Sequence, residues 1–189
     1  MSDARQRILE TADRLFAERG YEAVGINELI EKSEVCKATF YQQFRSKEAL
    51  CVTWLQQRAE DSGKRAQALL DQDLPPRDKV ALQFDALRNG LRDSDFRGCP
   101  FSNTATVIPK ESEAGEVVRE YKTAARLFWH SLALQIRREP SAALALGDAL
   151  FLLFSGAVTE AQNSKALWPV DSAKAAALAL CGNPPDSNA

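Results

Sequence analysis

Apolar residues recur with the helical period along most of this chain. Ile8, Ala12, Leu15, Phe16 and Arg19 follow an i, i+4, i+7, i+8, i+11 ladder, with the aliphatic stem of Arg19 expected to be covered at the helix end. The ladder predicts a helix over residues 4–19, with Ser2 or Asp3 as its N-cap and Gly20 as its stop. Two short helices are predicted next, over residues 26–32 and 37–44. Ser46 can cap a longer helix that has Glu48 in its first turn and reaches residue 70. The stretch 71–78, DQDLPPRD, breaks it, because Pro75 and Pro76 cannot continue a helix and Pro76 can open the next one. Val80, Phe84, Leu87 and Leu91 then repeat on one face. Residues 97–100 and Pro109 frame a shorter, irregular helical piece. Val117, Tyr121, Ala125, Phe128, Leu132 and Ile136 form a stripe that stops at Pro140. Residues 142–162 are apolar on nearly every face, and a last helix over 171–180 precedes a polar tail, 182–189. Trp168, before Pro169, is expected to pack a loop between these last two helices. With no alternating strand pattern and no internal repeat, the fold class is all-α with nine helices.

Three short helices with a tight turn, residues 33–36, between the second and third are the plan of a helix-turn-helix unit. The predicted third helix is about 12 Å long, enough to lie in a major groove of about that width. Phe40 and Phe44 share its inward face. Ala38, Thr39, Gln42 and Gln43 occupy the remaining surface, where Gln can pair with adenine and Thr can meet a base or a phosphate.

Charge is informative only locally. The 189 residues carry 24 Lys and Arg against 26 Asp and Glu, a formal net charge of −2, which decides nothing about nucleic acid. Between residues 32 and 47, however, Lys32, Lys37, Arg45 and Lys47 face a single acid, Glu34. Backbone N–H groups opening the helix after Ser46 add a second place for a phosphate.

The stretch RILETADRLFAERGYEAV, then residues 35–44, VCKATFYQQF, and 46–50, SKEAL, carry a family likeness. Over residues 5–55 the chain resembles the TetR family of bacterial transcriptional regulators. The resemblance implies a DNA-binding domain over 1–47 and a helical effector-binding and dimerisation domain over 48–189. It implies that Lys37, Thr39, Tyr41 and Lys47 contact phosphates, and that Ala38, Thr39, Gln42 and Gln43 face bases. Beyond residue 55 the likeness lies in helix count, length and the stretch Gly98-Cys99-Pro100-Phe101, similar to one found in a subset of these regulators. Four positions depart from the family pattern. Gly25 stands at the cap of the second helix, Ile30 replaces an Ala, and Cys36 replaces a Ser or Thr cap. Glu34 replaces the turn glycine, at about 1 kcal/mol if the turn keeps a positive φ.

The function expected is a cytoplasmic, dimeric repressor, released from a palindromic operator by a small-molecule effector. Candidate effector contacts are Cys99, Phe101, Tyr121, Trp129 and His130; plain packing is the other reading of the aromatic residues and the histidine. Trp54 and Cys51 are read as core. The apolar helix 142–162, with small residues Gly156, Ala157 and Ala161, suggests a two-helix-per-subunit interface carried by Leu150, Leu153, Phe154, Ala157 and Ala161. An alternative of the same fold is a thiol sensor. Cys36 sits at a helix N-terminus beside Lys37, and Cys99 lies near Arg97. A small helical enzyme is the distant alternative, since one histidine, no CxxC pair and no glycine-rich phosphate loop leave little to build catalysis, a metal site or a cofactor site on. The charged N-terminus argues against a signal peptide. The stretch 142–158, interrupted by Asp148, is expected to be too short for a membrane span.

Overall fold

The computed structural model describes residues 3–182, so the Ser2 cap and the tail beyond Gly182 lie outside the described residues. Among those described there are nine helices and no strand: α1 (Asp3–Arg19), α2 (Ile26–Lys32), α3 (Lys37–Gln43), α4 (Lys47–Leu70), α5 (Pro76–Asp93), α6 (Pro100–Ala105), α7 (Glu113–Ile136), α8 (Pro140–Ser164) and α9 (Trp168–Cys181). Their ends follow local chemistry. Gly20 stops α1 with φ 87, its N–H reaching the Phe16 carbonyl at 2.9 Å. Ser46 Oγ accepts from the Ala49 N–H at 3.0 Å and opens α4. Pro76 starts α5 at a position where its missing N–H is harmless.

The chain packs as two compact units. The first comprises the described residues up to Ser62 with Cys99–Tyr121, and the second comprises Gly63–Gly98 with the described residues from Lys122 to Gly182. The core of the first unit gathers Ile8, Leu15 and Phe16 of α1, Phe40 and Phe44 around α3, Leu50, Trp54 and Leu55 of α4, and Phe101 and Val117. Trp54 Nε1 donates to Asp13 Oδ1 at 2.8 Å, and Arg58 Nε donates to the same oxygen at 2.8 Å, so one carboxylate ties α4 to α1.

The core of the second unit is built on Val80, Phe84 and Leu91 of α5, Trp129 and Leu132 of α7, Leu150 and Ala161 of α8, and Val170 and Ala177 of α9. Two polar ties cross it. Lys79, buried, donates from Nζ to the Leu70 carbonyl at 2.6 Å and to Gln135 Oε1 at 3.2 Å. Asp148 of α8 takes Arg126 in a fork, with Nε to Oδ1 at 2.6 Å and Nη2 to Oδ2 at 2.8 Å, while His130 Nε2 lies 2.6 Å from Oδ1. Beside this cluster α7 and α8 touch backbone to backbone: a Cβ on Gly147 would stand 2.9 Å from His130 Cα.

Several expectations change here. Asp3 lies inside the first turn of α1, 3.7 Å from Arg7, and does not cap it. Arg19 reaches outward to Glu28 and to the Ala23 carbonyl at 2.9 Å, because paired acceptors outcompete apolar cover for its head group. Helix α8 runs 25 residues, longer than the apolar stretch read from sequence, because Glu139 caps it through Ser141 N and Ala142 N and Pro140 fits its first turn. By length and composition alone it is long enough and apolar enough to cross a membrane. Trp168 opens α9 and is exposed; it packs no loop.

Gly147→Ala is expected to lower stability by about 1–3 kcal/mol through overpacking against His130, read as a shifted midpoint in urea unfolding. Arg126 and His130 hold the Asp148 carboxyl well below the usual carboxylate range. Its stabilisation is therefore complete above the unfolded value of about 4, and declines as acid protonates the unfolded chain first. Melting temperature should fall on acidification below about pH 4, and Asp148→Asn should flatten that fall.

Candidate DNA interface

Helix α3 is seven residues long, and Phe44, expected as its last residue, is instead its extended C-cap, with φ −138. Phe40 and Phe44 are buried as the ladder requires. That leaves Lys37, Ala38, Tyr41 and Gln42 exposed and Thr39 and Gln43 half-buried, on one short helix. Tyr41 is 42% exposed and meets Phe40 only edge-on, with ring centroids 5.6 Å apart. Its hydroxyl end is therefore available to a partner.

The turn before α3 is held from inside. Ser33 is buried and donates to the Leu29 carbonyl at 2.6 Å, and Thr11 Oγ1 of α1 donates to the Lys32 carbonyl at 3.4 Å. Glu34 takes φ 53, the left-handed conformation that glycine would adopt freely. Gly25 caps α2 in an extended conformation, with no side chain to contribute.

The setting of Lys47, a phosphate contact by family resemblance, is specific. The ammonium lies 4.2 Å from the Tyr21 ring centroid and 3.5 Å from the Glu22 carbonyl. Partial burial draws its pKa below that of a free lysine, and the aromatic face holds the charge at the start of α4. At the same, C-terminal end of α3, the Arg5 guanidinium sits 4.5 Å over the Phe44 ring. Neither aromatic seat was legible in the sequence, because 26 and 39 residues separate the partners.

The cysteines divide sharply. Cys36 is exposed, with Sγ 3.1 Å from Thr39 Oγ1, and hydrogen bonding from Thr39 draws its thiol below the ordinary value. Cys51 has no exposed surface, and burial pushes its thiol up to about 12. Cys99 is partly exposed and Cys181 is buried.

The five candidate effector contacts do not fall in one unit. Phe101 and Tyr121 stack in the first, with centroids 3.5 Å apart, and Cys99 packs against the same core. Trp129 lies in the second unit among Phe84, Phe128 and Phe154, and His130 faces Asp148. Of the candidate interface residues, Leu150, Ala157 and Ala161 are buried within the single chain, while Leu153 and Phe154 are partly exposed. An apolar groove of about 440 Å³ runs between α8 and α9, lined by Leu152, Leu153, Gly156, Trp168 and Ala176 among others. No cluster of three or more His, Cys, Asp or Glu suited to a metal occurs among the described residues.

The sequence profile of the family described as "Bacterial regulatory proteins, tetR family" matches residues 8–52, the segment that carries α2 and α3. The HTH-type transcriptional repressor NemR of Escherichia coli (strain K12) is 26% identical over 181 residues, covering 92% of this chain and 91% of its own. The HTH-type transcriptional repressor DhaR of Mycobacterium sp. (strain GP1) is 27% identical over 175 residues, covering 88% and 86%. Among solved structures, the reduced form of E. coli NemR has a TM-score of 0.83 at 24% identity, covering 97% of this chain and 100% of that one. A TetR regulatory protein from Rhodobacter sphaeroides has a TM-score of 0.81 at 20% identity, covering 95% and 99%.

The thiol environments make a direct prediction. Limiting iodoacetamide at neutral pH should label Cys36 well before Cys51, as peptide mass spectrometry would show. Equal labelling would contradict the burial of Cys51.

Proposed function

We propose that the chain is a TetR-family DNA-binding transcriptional repressor acting as a homodimer in the cytoplasm, a reading supported by the match of residues 8–52 to that family and by the likeness to NemR over 92% of the chain. The observation that carries this reading is the surface around α3. A short helix buries Phe40, with Phe44 buried at its C-cap, and leaves Lys37, Ala38, Tyr41 and Gln42 exposed and Thr39 and Gln43 half-buried, with Lys47 seated nearby at the start of α4. In this reading residues 1–47 bind DNA. Lys37, Tyr41 and Lys47 meet phosphates, Ala38, Gln42 and Gln43 meet base edges, and Thr39 meets either.

Residues 48–189 carry the effector and the dimer contact. The groove between α8 and α9 supports the second role, since a hydrophobic face of this size on a helix pair is best covered by its symmetry mate. The surface offered there is Leu152, Leu153, Gly156 and Trp168; Leu150 and Ala161 act from beneath, by shaping α8. Two-fold symmetry then implies a palindromic operator. An apolar or aromatic small molecule, held either in the first unit through Cys99, Phe101 and Tyr121 or in the second through Trp129 and His130, releases it by favouring the dimer that fits the operator less well.

Cys36 supports a second mode of release. An exposed thiol drawn toward the thiolate, within the surface proposed to meet DNA, is suited to modification by an oxidant or electrophile. Cys99, partly exposed, is the other candidate for this role.

In a selection from randomised duplexes at low salt, the protein should retrieve a palindrome. Lys47→Ala should weaken binding to every sequence and flatten the salt dependence by about one unit per contact, whereas Gln42→Ala should change preference at particular bases. Retrieval of no sequence would end the repressor reading. A Cβ on Gly156 meets nothing within 4 Å, so Gly156→Asp should keep the helical fold by circular dichroism and yet give monomers by light scattering.

A further inference from the structure

Glu34 stands apart from the surface around it. Its φ of 53 lies in the region where an L side chain crowds its own backbone. The turn keeps that conformation through the Glu34 N–H to the Glu31 carbonyl at 3.1 Å and the Val35 N–H to the Ile30 carbonyl at 3.4 Å. The side chain is exposed, and no ion pair among the described residues neutralises it. It is the one acid between residues 32 and 47, in a stretch that otherwise displays Lys32, Lys37, Arg45 and Lys47. It also lies two positions before Cys36, the N-cap of α3. A duplex that receives the start of α3 therefore brings phosphates toward this carboxylate.

We propose that Glu34 is an attenuator of DNA affinity: its carboxylate repels the phosphate backbone that the neighbouring cations attract. The proposal rests on the reading of α3 as the DNA-binding helix. Two like charges about 7 Å apart in water repel enough to weaken an equilibrium about threefold, and a two-fold dimer applies the effect twice, to about tenfold. Screening weakens the effect as salt rises and largely removes it near 1 M, where the Debye length of about 3 Å is shorter than the separation. The functional result is a complex poised near release, which a modest effector preference for the unbound dimer can tip. A merely structural role does not account for the residue, because its side chain is exposed and the backbone conformation would be easier for glycine.

The test is fluorescence anisotropy on the palindrome selected with the unaltered protein, at low and high salt, with melting temperatures taken in parallel. Glu34→Gln keeps the β-carbon and removes the charge. It should tighten binding about tenfold at low salt, lose that gain at high salt, and leave the melting temperature unchanged. Glu34→Gly should give the same gain in DNA binding together with a higher melting temperature, and Glu34→Lys a larger gain. Binding by Glu34→Gln that equals or falls below the unaltered protein at low salt would overturn the proposal. So would a gain confined to Glu34→Gly, since that would assign the effect to backbone strain. If the unaltered protein selects no duplex, the repressor reading fails and this proposal fails with it. If it selects one and Glu34→Gln changes nothing, only this proposal falls.

Discussion

A helix of seven residues does not hold its shape in water by its own hydrogen bonds. Helix α3 exists because Phe40 and Phe44 are buried in the same core as Ile8, Leu15, Leu50 and Trp54. That burial also fixes which way the helix faces. With the aromatic pair turned inward, Ala38, Tyr41 and Gln42 have only solvent or a partner to meet. The polar devices around the pair hold its setting: Ser33 and Thr11 close the turn, and Asp13 joins α4 to α1 through Trp54 and Arg58. Much of the specificity of the proposed surface is therefore a by-product of packing on the side away from it.

The second unit answers a different constraint. Helix α8 is apolar nearly all round, and one chain cannot cover every face of such a helix. Leu150, Ala157 and Ala161 find their cover inside the unit, while Leu152 remains 66% exposed. The one acidic residue in the first part of α8, Asp148, is held by Arg126 and His130. That tie fixes the rotation of α8 about its own axis, and so which apolar residues stay inside and which line the groove with α9.

Periodicity made most of this fold legible. The ladder from Ile8 to Phe16 and the repeat from Val80 to Leu91 mark faces that are in fact buried or packed against the core, because a helix contacts its core every three or four residues. The spacing of residues 26–44 likewise located the short helices to within one residue. What remained hidden falls into two kinds. Helix ends such as Pro140 and Trp168 were misplaced because proline in a first turn reads equally well as a break. Ties such as Trp54 with Asp13, Tyr21 with Lys47, and Lys79 with Gln135 join residues 26 to 56 positions apart, and a local pattern carries no trace of them. The groove between α8 and α9 belongs to the second kind, since small and apolar residues on a helix do not say which of them a neighbour will cover.

Lys79 bears on the order in which the chain is assembled. Its bond to the Leu70 carbonyl spans nine residues and its bond to Gln135 spans 56. Contacts across a short loop close in tens of nanoseconds, long before distant segments meet. The exit of α4 can thus be closed by the lysine while the ammonium is still hydrated. Full burial of the ammonium comes with the packing of the second unit, where Gln135 of α7 accepts its other hydrogen bond. The desolvation of a buried charge, a step that would oppose early collapse, is deferred until the helices that cover it are in place.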